Sequence, residues 1–364
     1  MSPGGGRSGA SPESEASVDK GLEWLKFHQE PDGRWDLAKY EGPNEHAGDR
    51  GDMGVTGLAL LAFLGAGHTS RHGIYKGNVK RAVGWLISKQ NNKGLWDSPF
   101  WKSRQYQNGI ATMALSEAAG MGRVKATLQA AQRAVDGLQG EQMNYAAFDY
   151  WNPRGGGGGG GGSVVKGQND TSITIWCAMA YKSAKVSGLR VRGTAFSGIL
   201  NWIDVAQDLS DAKPGDYEYE GGRVAYRGKM DKTAWFPRYT PLLTAAGGVI
   251  RLFWGQSPNH PGVVGPANLL LKNHQMNQGD GIPFYMGYYA TLLMFQKGGD
   301  HWKKWNAALQ PFLLSRQLKG DPRDLGGSWD DDGYLVEFGG RVFSTSLCVL
   351  SLEVYYRYLP MYQE

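Results

Sequence analysis

Apolar residues along this chain follow two patterns that alternate from one end to the other. In the first pattern, apolar positions recur at helical spacing with charged residues between them, as in Ser17–Gln29. In the second, nearly every position is apolar or small, as in Gly54–Gly67. An amphipathic helix lies at a surface, whereas a helix that is apolar on all sides is surrounded by protein. The two patterns therefore predict outer helices and inner helices.

The alternation continues through twelve segments, which together predict an all-α (α/α)6 toroid. Six helical hairpins arranged in a ring bury their inner helices completely and their outer helices by half, as the two patterns require. The predicted outer helices are Ser17–Gln29, Asn78–Gln90, Val124–Leu138, Arg192–Gln207, Gly265–His274 and Gly299–Gln317. The predicted inner helices are Gly54–Gly67, Asn108–Gly120, Asp170–Gly188, Tyr239–Trp254, Tyr285–Lys297 and Ser344–Tyr358. One small β-hairpin is predicted as an insertion at Tyr217–Tyr226, where two alternating runs flank Gly-Gly.

A short motif of Gln, Gly and Trp recurs where an outer helix ends. A glycine permits the positive φ of a tight turn, a glutamine can pair the groups left over at helix ends, and a tryptophan buries a large apolar area. Near-identical copies spaced around a ring cannot all face one reaction centre, so the motif predicts a structural seal between hairpins. Its residues are Gln29, Gly33, Trp35, Gln90, Gly94, Trp96 and, after Gln317, Trp329.

Because the repeat runs from end to end, we predict one domain over residues 17–362. Residues 1–16 are predicted to be a disordered leader, and residues 152–168, with their eight consecutive glycines, a flexible insertion. No apolar run reaches about 18 residues and no secretory signal is recognisable, which predicts a soluble domain without a membrane span. The compartment and the oligomeric state stay open.

Charge and cysteine usage exclude several classes of function. The net charge of +5 is spread thinly, without the clusters of Lys and Arg that mark a nucleic-acid-binding face. Cys177 and Cys348 both lie in apolar helical patterns, which is typical of buried free cysteines. We therefore predict no nucleic-acid partner, no metal and no cofactor.

The motif Gln-x-x-x-Gly-x-Trp at Gln29–Trp35 and Gln90–Trp96 resembles the QW motif of the squalene-hopene cyclase and protein prenyltransferase superfamily. The C-terminal segment Gly339–Pro360, together with Tyr288–Phe295, is similar to the prenyltransferase/squalene oxidase repeat proteins of planctomycete bacteria. The resemblance covers about Ser17–Tyr362. It implies an α/α toroid, but fold alone does not determine function.

The chemistries that the resemblance implies can be compared with the residues of this chain. A class II terpene cyclase of this superfamily protonates an alkene with an Asp-x-Asp-Asp motif, whereas this chain has Trp329-Asp-Asp-Asp332 with a different spacing. A protein prenyltransferase binds zinc through Asp-x-Cys and a later histidine. Here Ser346 occupies the aspartate position before Cys348, and no histidine follows. Neither reaction is therefore predicted in its usual form.

Candidate site residues lie before or at the start of the inner helices. The aromatic ones are equally compatible with ligand binding and with packing, and they are Trp151, Trp235, Tyr285, Tyr288 and Tyr289. The candidate acids are Asp170, Asp331 and Asp332; an N-cap explains Asp170 and a solvated turn explains the other two at least as well.

The sequence thus predicts a terpenoid-cyclase-like toroid that is non-catalytic and binds an apolar or extended ligand, or a peptide segment, in an aromatic depression at the centre of the ring. One alternative is an isoprenoid cyclase or prenyl-transferring enzyme with an atypical acid. Another is a carbohydrate-active (α/α)6 enzyme, which would need paired carboxylates in a groove with aromatic platforms.

Overall fold

The computed structural model describes residues 9–39, 51–98, 101–143, 147–149, 169–213, 215–226, 240–273, 283–330 and 339–357. Six of its helices correspond to the predicted outer set: α1 (Pro12–Phe27), α3 (Lys76–Lys89), α5 (Lys125–Glu141), α7 (Gly193–Ala206), α9 (Pro261–Asn273) and α11 (Gly299–Arg316). Six correspond to the inner set: α2 (Asp52–Gly65), α4 (Trp101–Gly122), α6 (Thr171–Val186), α8 (Pro241–Phe253), α10 (Phe284–Lys297) and α12 (Gly340–Leu352). A short helix, α13 (Val354–Arg357), follows α12.

The inner helices form a closed ring. Each one packs against the next, from α2 through α4, α6, α8 and α10 to α12, and α12 packs against α2. The outer helices flank them, and α1 contacts both α11 and α12 across the point where the chain ends meet. Almost every described side chain of the inner helices is buried, whereas α1 and α3 alternate between buried and exposed positions. The two sequence patterns thus correspond to two layers of helices.

Local chemistry sets where several of these helices begin. Ser11 caps α1 in a reciprocal capping box with Ser14. Thr240 caps α8, whose first residue is Pro241. Asp170 caps α6 by accepting the backbone N–H groups of Ser172 and Ile173. The caps of α6 and α8 begin two inner helices, and that of α1 begins an outer helix, with the polar groups at each start paired.

The Gln-Gly-Trp motif joins neighbouring hairpins at three places in the ring. Gln90 follows α3, and its amide donates both to the carbonyl of Gly94 (2.8 Å) and to that of Ala130 (3.0 Å) in the next outer helix. Trp96 donates its indole N–H back to Leu86 of α3 and its backbone N–H to Asn108 of α4. One motif therefore joins an outer helix, its inner partner and the next hairpin.

The copies at the two chain ends repeat this geometry. Gln29 donates to Gly33 and to Asn78 of α3, and Gln317 donates to Gly327 and to Ser17 of α1. The indoles of the two matching tryptophans, Trp35 and Trp329, donate to the preceding outer helices. The last copy ties α11 to α1, so the same set of hydrogen bonds that joins successive hairpins also closes the ring.

Two further copies carry the geometry without the tryptophan. Gln142 donates to Ala195 of α7, with Phe148 bonded through its backbone to Thr174 of α6. Gln207 donates to Gly222 and to Gly262 of α9, and Val224 occupies the tryptophan position. In each copy, the residue after the glutamine donates its N–H to the carbonyl of the residue before the aromatic or its replacement. Each of these five sets of hydrogen bonds joins one hairpin to the next, and we call it a joint. The sequence motif had revealed only three of the five joints.

Three predictions of local structure need correction. The β-hairpin at Tyr217–Tyr226 does not form: this segment has turns and isolated bridge residues, with Val224 paired antiparallel to Gln207. The segment forms instead the long loop of the joint at Gln207, and Tyr219 in this loop donates to the carbonyl of Asp208. The helix that begins at Pro12 extends into the predicted leader of residues 1–16. The inner helix predicted to reach Tyr358 breaks after Leu352.

The predicted flexible insertion at residues 152–168 lies outside the described residues. Within the described ranges, no helix is long and apolar enough to cross a membrane.

Candidate ligand-binding cavity

A cavity of about 330 Å³ lies at the centre of the ring, where the six inner helices begin. Every inner helix contributes a residue from its first two turns. The apolar and aromatic lining residues are Val55, Leu58, Ile110, Trp176, Tyr226, Leu242, Leu243, Tyr285 and Phe343, and the small or polar ones are Gly51, Gly54, Ser103, Tyr106, Gln107, Ser172 and Thr240. None of these described lining residues carries a charge.

One wall of the cavity is an aromatic cluster. The rings of Trp176 and Tyr285 lie nearly parallel, with centroids 6.0 Å apart, and the indole N–H of Trp176 donates to the Tyr285 hydroxyl at 2.7 Å. Tyr288 and Tyr289 pack against Trp176 from behind and are fully buried. The hydrogen bond fixes the orientation of both rings at the cavity, so the wall is rigid and mostly apolar.

The structure separates the five aromatic residues that were candidates for ligand binding. Tyr285 lines the cavity, whereas Tyr288 and Tyr289 support its wall without lining it. Trp151 and Trp235 lie outside the described residues.

Sequence reasoning missed Trp176, Tyr106 and Phe343, which all line the cavity. Each lies within the first two turns of an inner helix, where an aromatic side chain looks like ordinary core. These residues could have been found from their position near the start of each inner helix, because residues at similar positions in the inner helices lie at one level of the ring.

A chain of hydroxyl groups connects the cavity to a buried carboxylate. Tyr106 of α4 is hydrogen-bonded to the Ser172 hydroxyl of α6, and Ser172 donates to Oδ1 of Asp170 at 2.5 Å. The same carboxylate oxygen accepts the backbone N–H groups of Ser172 (2.8 Å) and Ile173 (3.1 Å). Tyr106 and Ser172 face the cavity, whereas Asp170 is fully buried behind them.

This geometry bears on the proposed acid chemistry of Asp170. Three donors converge on one carboxylate oxygen at the start of α6, which is the bonding expected of a helix N-cap. Asp170 therefore has the surroundings of a helix cap, and a catalytic role for it stays a prediction.

The other two candidate acids, Asp331 and Asp332, lie outside the described residues. Their neighbour Asp330 forms an ion pair with the buried Arg341 at 2.5 Å, and Arg341 also contacts Ser328. The start of this acidic run thus belongs to the loop that contains Trp329. Among the described residues, no three His, Cys, Asp or Glu side chains come together as a possible metal site.

The cavity also contains one buried amide whose bonding is incomplete. Gln107 of α4 is only 3 % exposed, and its Nε2 donates to the hydroxyls of Ser103 (2.8 Å) and Ser98 (3.1 Å). Its carbonyl oxygen has no hydrogen-bond partner among the described residues. A buried acceptor of this kind is unusual in a folded protein and calls for an explanation.

Comparison with known proteins supports the superfamily and the fold. Residues 7–109 match the family described as the squalene-hopene cyclase C-terminal domain. No curated protein matches the chain in sequence. Together with the solved structures, this match supports the predicted resemblance to the prenyltransferase/squalene oxidase repeat superfamily. The finer resemblance to planctomycete members stays a prediction.

Solved structures share the toroid across almost the whole chain. A type II terpene cyclase, MstE from Scytonema, in complex with its substrate geranylgeranyl dihydroxybenzoate, is 14% identical with a TM-score of 0.61, and the alignment covers 96% of this chain and 98% of that one. An α-amylase from Clostridium perfringens is 11% identical (TM-score 0.62, coverage 94% and 98%). An inactive variant of an α-1,6-mannanase from Salegentibacter is 10% identical (TM-score 0.58, coverage 95% and 99%). At these identities the likeness shows the fold alone, and function has to be argued from the cavity.

Proposed function

We propose that this terpenoid-cyclase-like toroid binds an apolar small molecule in its central cavity and does not catalyse a reaction on it. The observation that carries the proposal is the cavity itself. Its volume of about 330 Å³ lies at the lower end of the range of small-molecule sites, and its lining of apolar side chains with a few polar groups is typical of such sites.

The favourable free energy of binding would come mainly from apolar contact. Leu58 and Leu243 lie on opposite parts of the ring, in α2 and α8, and both line the cavity together with Trp176. A ligand that removes this surface from water gains roughly 25 cal/mol per Å². A linear or folded hydrocarbon chain fits this chemistry better than a sugar, which requires many hydrogen-bond partners.

Two features support binding without catalysis. The described lining residues are uncharged, so they include neither a carboxyl group nor an imidazole for acid or base chemistry. The nearest acid in the described part of the chain, Asp170, is fully buried and bonded to the start of α6. The solved terpene cyclase holds a geranylgeranyl compound within the same fold, which favours an isoprenoid chain as the ligand class.

The proposal can be tested by titrating the purified protein with geranylgeraniol and measuring the heat of binding together with the fluorescence of Trp176 and the other tryptophans. Leu243→Phe adds volume inside the cavity. Leu270→Phe makes the same substitution in a fully buried position of α9 that does not line the cavity. We expect Leu243→Phe to weaken binding at least tenfold and Leu270→Phe to leave the Kd unchanged.

Circular dichroism of both variants checks that they fold. If geranylgeraniol fails to bind the wild-type protein, or binds Leu243→Phe as tightly, the cavity is not an apolar binding site. Mass spectrometry of the recovered ligand tests the second half of the proposal, since a cyclised or transferred product would establish the protein as an enzyme.

A further inference from the structure

The inner helices end at the side of the ring opposite the cavity, and three of these ends form one surface. The segments that form it follow or complete α2, α4 and α6, and they are residues 66–76, 121–125 and 185–192. The first two segments touch, since a Cβ on Gly122 would lie 3.3 Å from the Ser70 hydroxyl. The last two also touch, since a Cβ on Gly188 would lie 3.9 Å from a guanidinium nitrogen of Arg123.

The three segments carry positive charge that no acid within them offsets. They contain no aspartate or glutamate, and their exposed cations include Arg71, Lys76, Arg123, Lys125, Lys185 and Arg190. In the described part of the chain, none of these six forms an ion pair with an acid. Burial and, after it, the charges of Glu23 and Asp19 raise the pKa of Tyr75, which places these two acids of α1 at the border of the surface. We call the three segments together the basic face.

Each segment of the basic face also exposes one apolar side chain. Ile74 is 83 % exposed, and Met121 and Val186 are each 36 % exposed. Single exposed apolar residues are normal on a protein surface, but here three adjoining segments each present one beside their cations. At the edge of the face, the ammonium group of Lys185 lies 4.6 Å from the centre of the Phe196 ring. The basic face therefore offers a partner both positive charge and apolar contact.

We propose that the basic face docks onto a membrane surface that contains anionic lipid. Lys and Arg side chains are attracted to negatively charged headgroups, and apolar side chains at the same level enter the boundary between headgroups and acyl chains. A nucleic acid would pair with the cations but would leave the exposed apolar side chains against phosphate groups. The cavity lies at the other end of the ring, so this docking does not depend on the ligand of the cavity.

The test measures co-sedimentation of the purified chain with vesicles of phosphatidylcholine, with or without phosphatidylserine. We expect the protein to bind the vesicles that contain phosphatidylserine at least tenfold more tightly than the neutral ones, because only the former attract the cations. Raising the salt concentration should weaken this binding, since salt screens exposed charges.

A charge variant tests whether the basic face makes the contact. We expect Arg71→Gln combined with Lys125→Gln to bind the anionic vesicles about 25-fold more weakly, since each cation near an anionic surface contributes roughly a factor of five. The matched control is Lys93→Gln combined with Lys213→Gln. Both of these lysines are exposed in loops at the cavity end of the ring, and the control has the same net charge as the test variant. We expect it to bind like the wild-type protein.

An apolar variant separates a bilayer from other polyanions. Ile74→Ser keeps every charge, and we expect it to bind the anionic vesicles roughly tenfold more weakly, because it removes an apolar side chain that the bilayer would bury. Val205→Ser is the control, since Val205 is 47 % exposed in α7 and lies outside the basic face. We expect this control to leave vesicle binding unchanged.

Three results would overturn the proposal: no binding to anionic vesicles, an equal loss in the charge variant and its control, or no effect of Ile74→Ser. The last result would show that the face attracts any polyanion, and tighter binding to a short DNA duplex than to the vesicles would show the same. The Kd for geranylgeraniol, measured on all variants, should stay at the wild-type value. A failure of membrane docking is thereby distinguished from a failure of the proposed function.

Discussion

The joints between hairpins can be tested at Gln90, whose side chain links two hairpins by itself. Gln90→Met removes the amide while keeping a side chain of similar length. The carbonyls of Gly94 and Ala130 then lose donors at 2.8 and 3.0 Å, and Arg133 loses the oxygen to which it donates at 2.8 Å. The bond from Arg133 is exposed, so water replaces it at little cost.

The two part-buried bonds set the size of the effect. A typical intramolecular hydrogen bond contributes a net 0.5–1.5 kcal/mol, so we expect Gln90→Met to lower the free energy of unfolding by about 1–3 kcal/mol. The control is Gln132→Met in α5. Gln132 also bridges to the next hairpin, donating to the carbonyl of Arg190 at 3.1 Å, but this bond is exposed, and we expect a change within about 0.5 kcal/mol.

Guanidinium unfolding followed by circular dichroism measures the difference, because a shift of the midpoint at constant slope reports stability. Equal midpoints for the two variants would refute the reasoning, since they would show that the amide of Gln90 contributes no more than an exposed bridge. A loss well above 3 kcal/mol would also contradict it, because a single joint would then control the closure of the ring.

Three further predictions concern packing, reactivity and pH. Gly109→Ala places a Cβ 3.1 Å from Trp176 and 3.2 Å from the backbone of Cys177, so we expect this variant to have a lower melting temperature. The control is Gly84→Ala in α3, where a Cβ would lie in open space. We expect it to raise the melting temperature slightly, because alanine favours helix over glycine by about 0.5–1 kcal/mol. Burial raises the pKa of the Cys177 thiol well above its usual value. A thiol reagent at pH 8 should therefore label Cys177 only after the protein unfolds. Rapid labelling of the native protein would contradict this burial. Burial lowers the pKa of His28 below 6.5. The contribution of the neutral imidazole to stability is therefore complete above pH 6.5 and is lost as the pH falls through the folded-state pKa. Unfolding midpoints measured between pH 5 and 7 should depend on pH less steeply in His28→Gln than in the wild-type protein, and identical slopes would show that His28 does not contribute.

The sequence by itself determined the ring. Two kinds of apolar pattern in strict alternation require two environments for helices, and this requirement does not depend on any single contact. The predicted ring requires its last inner helix to pack against its first, and α12 does contact α2. The QW-like motifs at Gln29 and Gln90 likewise indicated the superfamily, because the residues of each motif lie close together in the chain.

Other features became visible only when distant segments met. The joints at Gln142 and Gln207 had no tryptophan to mark them. What makes them equivalent to Gln90 is a glutamine side chain that donates to a backbone carbonyl of the next outer helix, Ala195 of α7 or Gly262 of α9. The hairpin expected at Tyr217–Tyr226 failed for the same reason. Its residues had better partners in neighbouring helices, such as Asn268 of α9, which donates to the carbonyls of Tyr217 and Tyr219.

The cavity is the feature that only the tertiary structure decided. Leu58, Tyr106, Trp176 and Phe343 lie in four different inner helices, and each is indistinguishable in sequence from a core residue. They line one space because the ring holds the starts of the helices at one level and too far apart for their side chains to fill the centre. In the sequence, Gln107 is one polar residue in a segment of polar and apolar residues. Only the structure shows that it is buried and that its carbonyl oxygen has no hydrogen-bond partner among the described residues. Periodicity specifies which face of a helix is buried, whereas the ligand site depends on what several buried faces leave empty between them.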